Sequence, residues 1–155
     1  GIVASGFMQE LNKRQFMVTW SMVAKVPLFA NLNAEKIAEI ANLLEPLLVP
    51  PRFTIVKRGE TADCMYFIAS GSIEVDLENK PLRLEAGDFF GEIAVIRRHT
   101  RAATVISLTE SQLLVLEARD LDRLLEDNPD MASEFSKIME QRIAEVPEFI
   151  DFPNK

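Results

Sequence analysis

The sequence predicts an α+β fold in which helices flank an antiparallel β barrel or jelly roll. Three observations predict it. Apolar residues recur at helical spacing near both ends of the chain. Between about Arg52 and Glu117 they give way to short Val-, Ile- and Phe-rich runs, punctuated by Gly59, Gly71 and Gly87 beside polar residues. Two runs, Ile73-Glu74-Val75-Asp76-Leu77 and Leu82-Arg83-Leu84, alternate strictly, as strands with one solvated face do.

Taken in order, Phe16, Trp20 and Val23 form a first helical stripe that ends before Pro27. A second helix starts at the N-cap Asn33 and puts Ile37, Ile40, Ala41 and Leu44 on one face. Pro46, Pro50 and Pro51 close this helical region. Strands follow, among them Phe53–Val56, Tyr66–Ile68 and Leu113–Leu116. Two C-terminal helices complete the fold. The first carries Leu121, Leu124 and Leu125 on its apolar face. The second opens at Asn128-Pro129-Asp130, a cap, an N1 proline and a first-turn acid, and carries the stripe Met131, Phe135, Ile138, Arg142. Arg142 therefore stands where the pattern expects an apolar side chain. Residues 147–155 read as a tail.

Composition narrows the function. The 155 residues carry a net charge of −7, which disfavours a nucleic-acid partner because phosphate binding needs a basic face. One cysteine, Cys64, excludes an internal disulfide and fits a reducing compartment. With one histidine, His99, a zinc set of His and Cys ligands is excluded, and no metal site is expected. No apolar run reaches the roughly 18–20 residues that span a bilayer, and no secretory signal pattern is present. These features read as a soluble intracellular chain.

The segment with chemical content is Gly87-Asp88-Phe89-Phe90-Gly91-Glu92-Ile93-Ala94, followed by Arg101-Ala102-Ala103-Thr104. Glycine lets backbone approach a ligand, and the free N–H groups of a helical turn through Ile93–Ile96 attract an anion. Arg101, entering the β-rich run from Ala103 to Ile106, can pair with phosphate through its planar fork. The same residues also fit a plain turn followed by a solvated arginine, so the pattern alone leaves both readings open.

Phe90-Gly91-Glu92-Ile93-Ala94 with Arg101-Ala102-Ala103 resembles the phosphate-binding cassette of the cyclic nucleotide-binding domain family. Gly59-Glu60-Thr61-Ala62-Asp63 with Tyr66-Phe67-Ile68 and Gly71 resembles that family's other signature, although a glycine often stands in place of Ala62. The resemblance covers about residues 26–145 and implies a jelly-roll barrel and no catalytic residues. It implies that the N–H groups of Gly91, Glu92, Ile93 and Ala94 hold the cyclic phosphate and that Arg101 neutralises it. Ala102 lies in the same cassette, and Ala103 would add its own N–H. Glu92 would accept from the ribose 2′-hydroxyl, while Val75, Leu82 and Leu84 would face the base. Arg97-Arg98-His99-Thr100 replaces a loop commonly rich in Gly and Pro, with His99 expected to be exposed. Relatives that favour cGMP often carry Thr or Ser where Ala102 stands, so alanine implies cAMP as the preferred ligand and no cofactor. By the same comparison Arg142 resembles the late-helix arginine that covers the purine in bacterial channels. Without the family, Arg142 reads as a snorkelling side chain at a fraying helix end.

Three hosts compete. A transcription regulator would continue into a helix-turn-helix with a basic face, and a kinase regulatory subunit would show an inhibitor sequence and usually a second cassette. A cupin-type metalloenzyme would need several histidine and carboxylate ligands. Lys13–Trp20 leading to Val26-Pro27-Leu28-Phe29 resembles instead the linker of bacterial cyclic-nucleotide-gated potassium channels, and Gly1–Phe7 resembles the end of their pore-lining helix. That assigns 1–25 to a linker helix after the pore, 26–146 to the nucleotide-binding domain and 147–155 to a tail. It further implies a pore domain in the same polypeptide, a tetramer, and a place at the cytoplasmic face of the membrane. A sensor in a non-channel signalling protein or transcription regulator is the alternative.

Overall fold

Thr19 sets where the first helix begins. Its backbone is extended and its hydroxyl accepts from the Met22 N–H at 3.3 Å, so helix α1 runs only over Trp20–Ala24. The computed structural model describes residues 16–146 apart from Asn79. The expected linker residues before Phe16, including Gly1–Phe7, and the tail at 147–155 lie outside the described residues. Phe16 precedes the helix, and Trp20 is 50% exposed while Val23 is buried, so the predicted Phe16–Trp20–Val23 stripe does not form one buried face. A 3₁₀ turn at Pro27–Phe29 leads to α2, Ala34–Leu43. Asn33 caps α2 as expected: Asn33 Oδ1 accepts from the Lys36 N–H at 2.9 Å, and Ile37 and Ile40 are buried.

Strand structure starts earlier than the prolines suggested. Strand β1 is Glu45–Val49 and contains Pro46. It lies at the edge of its sheet, where a residue lacking an N–H costs no interior ladder bond. Strands β2 (Thr54–Val56), β3 (Cys64–Ser70), β4 (Ser72–Asp76), β5 (Leu82–Glu85) and β6 (Phe89–Phe90) follow. A short helix α3, Glu92–Arg97, separates β6 from β7 (Thr104–Ser107) and β8 (Ser111–Glu117). Helices α4 (Ala118–Asp127) and α5 (Pro129–Glu145) end the described chain.

Among the described residues all the strand pairs are antiparallel, in two four-stranded sheets ordered β1-β8-β3-β6 and β2-β7-β4-β5. This is the predicted jelly roll, although the two sheets do not close into one continuous barrel. The first sheet is covered on both faces. Met65, Phe67, Leu114 and Leu116 pack with the helices, whereas Tyr66, Ile68 and Leu113 join residues of the second sheet in a separate core. Double burial explains why Tyr66–Ile68 and Leu113–Leu116 are continuous apolar runs. Strands β4 and β5 have one outer face, hence their alternation.

The C-terminal helices carry the predicted faces. Leu121, Leu124, Met131 and Phe135 are buried, and Ile138 is half-buried. Asn128 differs from its expected role as N-cap of α5. Its side-chain amide donates to the Leu124 carbonyl at 2.9 Å, closing α4, and makes no cap bond to α5. Pro129 at the first position starts α5 unaided.

Candidate functional site

One cavity between the second sheet and α3 gathers every residue selected from the sequence: Val75, Leu82, Leu84, Gly91, Glu92, Ile93, Ala94, Arg101, Ala102, Ala103 and Arg142. Its apolar wall follows from strand register. Val75 on β4 lies directly opposite Leu82 on β5 and Val105 on β7, so three strands present one continuous patch. Leu84 continues the patch two residues beyond Leu82, as pleating requires.

The polar end is built by β6, α3 and the loop before β7. Gly91 joins β6 to α3 with φ +88°, and its position is crowded: an added Cβ would lie 2.7 Å from Arg101 Nη1. Only glycine meets both conditions without strain. Glu92 follows as the first helical residue, 1% exposed. Arg98 closes α3 in the left-handed region at φ 57°, where the Gly/Pro-rich loop is absent. His99 is half-buried, not exposed, because its N–H donates back to the Ala94 carbonyl and its Nδ1 lies 2.9 Å from Thr100 O. Ala62 lacks a positive φ, so alanine in place of the frequent glycine brings no backbone strain.

Arg101 is 4% exposed. It donates through Nη1 to the Gly91 carbonyl at 3.1 Å and through Nη2 to the Cys64 carbonyl at 2.7 Å, and its guanidinium carbon is 5.8 Å from the centre of the Tyr66 ring. The loop from Gly59 fixes its backbone: Arg101 N–H donates to Glu60 O at 2.8 Å and Gly59 N–H to Arg101 O at 3.0 Å. Among the described residues no carboxylate lies within salt-bridge distance of Arg101. Burial pushes the neighbouring Tyr66 phenol and Cys64 thiol up, so both stay neutral and neither offers the guanidinium a negative charge.

Arg142 arrives from the other side, in the last turn of α5. Its Nη1 donates to Glu92 Oε2 at 2.8 Å, and its guanidinium carbon sits 4.9 Å from the centre of the Phe89 ring. Burial pushes the Glu92 carboxyl up, and the Arg142 and Arg101 charges pull it only part of the way back. The sequence carries no local sign of this ion pair, because its partners are fifty positions apart on separate elements. It also missed Val56, Phe90 and Val105 as cavity walls. Val105 was within reach, since it shares the face of Ala103 two residues away.

A jelly roll with helices packed on one sheet, holding a buried arginine beside a glycine-led turn, defines a small-ligand binding module. The profile of the cyclic nucleotide-binding domain family matches residues 47–128, and the chain belongs to that family of binding domains. A Rhodopseudomonas palustris protein named for a potassium channel is 43% identical over 146 residues, covering 92% of this chain and 35% of that protein. A cyclic nucleotide-gated potassium channel of Rhizobium etli is 39% identical over 142 residues, covering 92% of this chain and 40% of the channel. The chain is thus related to bacterial potassium channels and spans well under half their length. Among solved structures, Sp-2Cl-cAMPS bound to PKAR CBD2 shares the fold, with a TM-score of 0.71 at 21% identity, over 90% of this chain and 93% of that one. No helix among the described residues is long and apolar enough to cross a membrane.

Proposed function

We propose that this cavity binds cAMP, and cGMP more weakly, and that the chain is the regulatory cytoplasmic domain of a tetrameric cyclic-nucleotide-gated potassium channel. The observation that carries the ligand reading is Arg101: a buried guanidinium lining the cavity, whose hydrogen bonds among the described residues go to uncharged acceptors, the Gly91 and Cys64 carbonyls and the Cys64 sulfur. A charge so desolvated calls for an anion. The cyclic phosphate supplies one, with the N–H groups of Gly91 to Ala94 and Ala103 as further donors. Glu92 takes the ribose 2′-hydroxyl, and Val75, Leu82 and Leu84 receive the base beneath α5. Ala102 offers no hydroxyl to a guanine 2-amino group, whose burial without a partner would cost about 1–3 kcal/mol. The channel host rests on the two bacterial relatives named for channels.

Gating follows from α5. Ligand draws this helix, through Arg142, over the base. The helix packs on the Pro27–Phe29 turn, which in turn contacts α1, so its movement reaches the segment leading upstream. A two-state shift of this kind typically carries about 1–3 kcal/mol of coupling. The test of the site is Arg101→Ala. A hydrogen bond to a charged group is worth about 1.5–3 kcal/mol, so cAMP affinity in calorimetry falls about 10- to 150-fold while the circular dichroism spectrum is retained. Unchanged affinity in the folded variant would dispose of the proposal.

A further inference from the structure

We infer that Arg142 is a positioning residue for the ribose: by pairing with Glu92 it fixes the carboxylate that reads the 2′-hydroxyl, and so sets discrimination between ribo- and 2′-deoxyribonucleotides. The inference rests on the reading that Glu92 accepts from the ribose, and adds to the covering of the base a second duty for the same arginine.

The geometry carries it. Glu92 is the most deeply buried charged side chain of the cavity, at 1% exposed, and its Oε2 is bound by Arg142 Nη1 at 2.8 Å. One carboxylate oxygen is therefore held by the arginine, and Glu92 lines the same cavity. A protonated carboxyl in this position could rotate and act as donor or acceptor, and would select poorly for a hydroxyl donor. The paired guanidinium favours the carboxylate over the protonated form, and the carboxylate accepts only. A deoxyribose leaves that desolvated acceptor unmatched, which is how a buried polar group rejects an analogue lacking its partner. Arg142 is itself held in place. Its guanidinium carbon lies 4.9 Å from the centre of the Phe89 ring, and Phe89 stacks on Phe135 of the same helix at 5.5 Å. Only 17% of the Arg142 side chain is exposed, so the pair is shielded from the solvent that weakens surface ion pairs.

The experiment compares cAMP with 2′-deoxy-cAMP by titration calorimetry on the 155-residue chain. Wild type binds cAMP tighter by about tenfold or more, the value of one hydrogen bond to a charged group. Arg142→Ala brings the ratio close to one, chiefly by weakening cAMP. Arg142→Lys, which keeps a cation in reach, retains much of the ratio. Glu92→Gln abolishes discrimination, and adding Arg142→Ala to it changes the ratio no further. Equal weakening of both nucleotides by Arg142→Ala, with the wild-type ratio kept, would overturn the positioning role and leave Arg142 as a cover for the base. A wild-type ratio in Glu92→Gln would instead show that Glu92 does not read the ribose, and both readings would go together.

Discussion

Replacing Gly91 by alanine perturbs backbone and ligand site at once, and Gly59 offers the control that separates the two. The residues share a conformation, φ +88° at Gly91 and +91° at Gly59. An L-residue held there costs about 1–2 kcal/mol in either place. Nothing lies within 4 Å of a Cβ added at Gly59. At Gly91 the added carbon would meet Arg101 Nη1 at 2.7 Å, against a side chain pinned by Gly91 O and Cys64 O. Displacing it loses at least one hydrogen bond from a charged donor, a further 1.5–3 kcal/mol or so. For a chain of this size about 1 kcal/mol shifts the melting midpoint by about 2–4 °C. Gly59→Ala should therefore melt about 2–8 °C lower, and Gly91→Ala about 5–20 °C lower. In calorimetry Gly59→Ala should bind cAMP nearly as wild type does, while Gly91→Ala loses about tenfold or more, since 1.4 kcal/mol is a factor of ten. Two variants with the same midpoint and the same affinity would refute the claim that Gly91 exists to admit the Arg101 side chain.

Glu92→Gln tests the electrostatics of the buried pair. A carboxyl whose folded pKa is raised stabilises the fold below its ordinary value of 4.5, and that contribution is lost as pH rises through the raised value. The glutamine variant, neutral throughout, should thus gain stability relative to wild type as pH rises above 4.5 in paired thermal melts. A relative loss over that range would mean that ionised Glu92 is net stabilising. Ala102→Thr should raise cGMP affinity relative to cAMP by about tenfold in parallel titrations, and an unchanged ratio would remove Ala102 from specificity. Phe135→Ala removes a 2%-exposed ring stacked on Phe89, at a cost of about 3–5 kcal/mol. Its melting midpoint should fall by about 6–20 °C, and a smaller fall would place less of the stability in the α5 contact.

Local chemistry made much of the fold legible. The Asn33 cap, the Pro129 helix start and the alternation of β4 and β5 each depend on neighbours a few residues apart, and each appears where the sequence puts it. Pro46 misled because an isolated proline marks a break, and only the place of β1 at a sheet edge makes it harmless. Asn128 misled for a related reason: its amide had two helices within reach, and a sequence does not say which it serves. At the site, the residues of the cassette could be picked out because they are close in the chain. The Arg142–Glu92 pair and the Cys64 carbonyl under Arg101 could not, since their partners are joined only by tertiary folding.

The dipeptide Phe89-Phe90 ties the turn at this cavity to both cores. Consecutive residues of a strand face opposite sides of their sheet. Phe89 therefore enters the helical core, stacked on Phe135 and lying 5.8 Å from Phe67. Phe90 enters the core between the sheets, stacked on Tyr66 at 4.9 Å. Immediately after them comes Gly91, the start of the turn into α3. Any shift of that turn is transmitted to both cores through two large rings with little room to slip, because close-packed interiors pass strain rather than absorb it. Arg142 adds a second link, from Glu92 at the same turn back to α5. The helix is thus tied to the turn at two points, one apolar and one charged. On the proposed reading, ligand would act on the charged point directly and on the apolar one through Gly91.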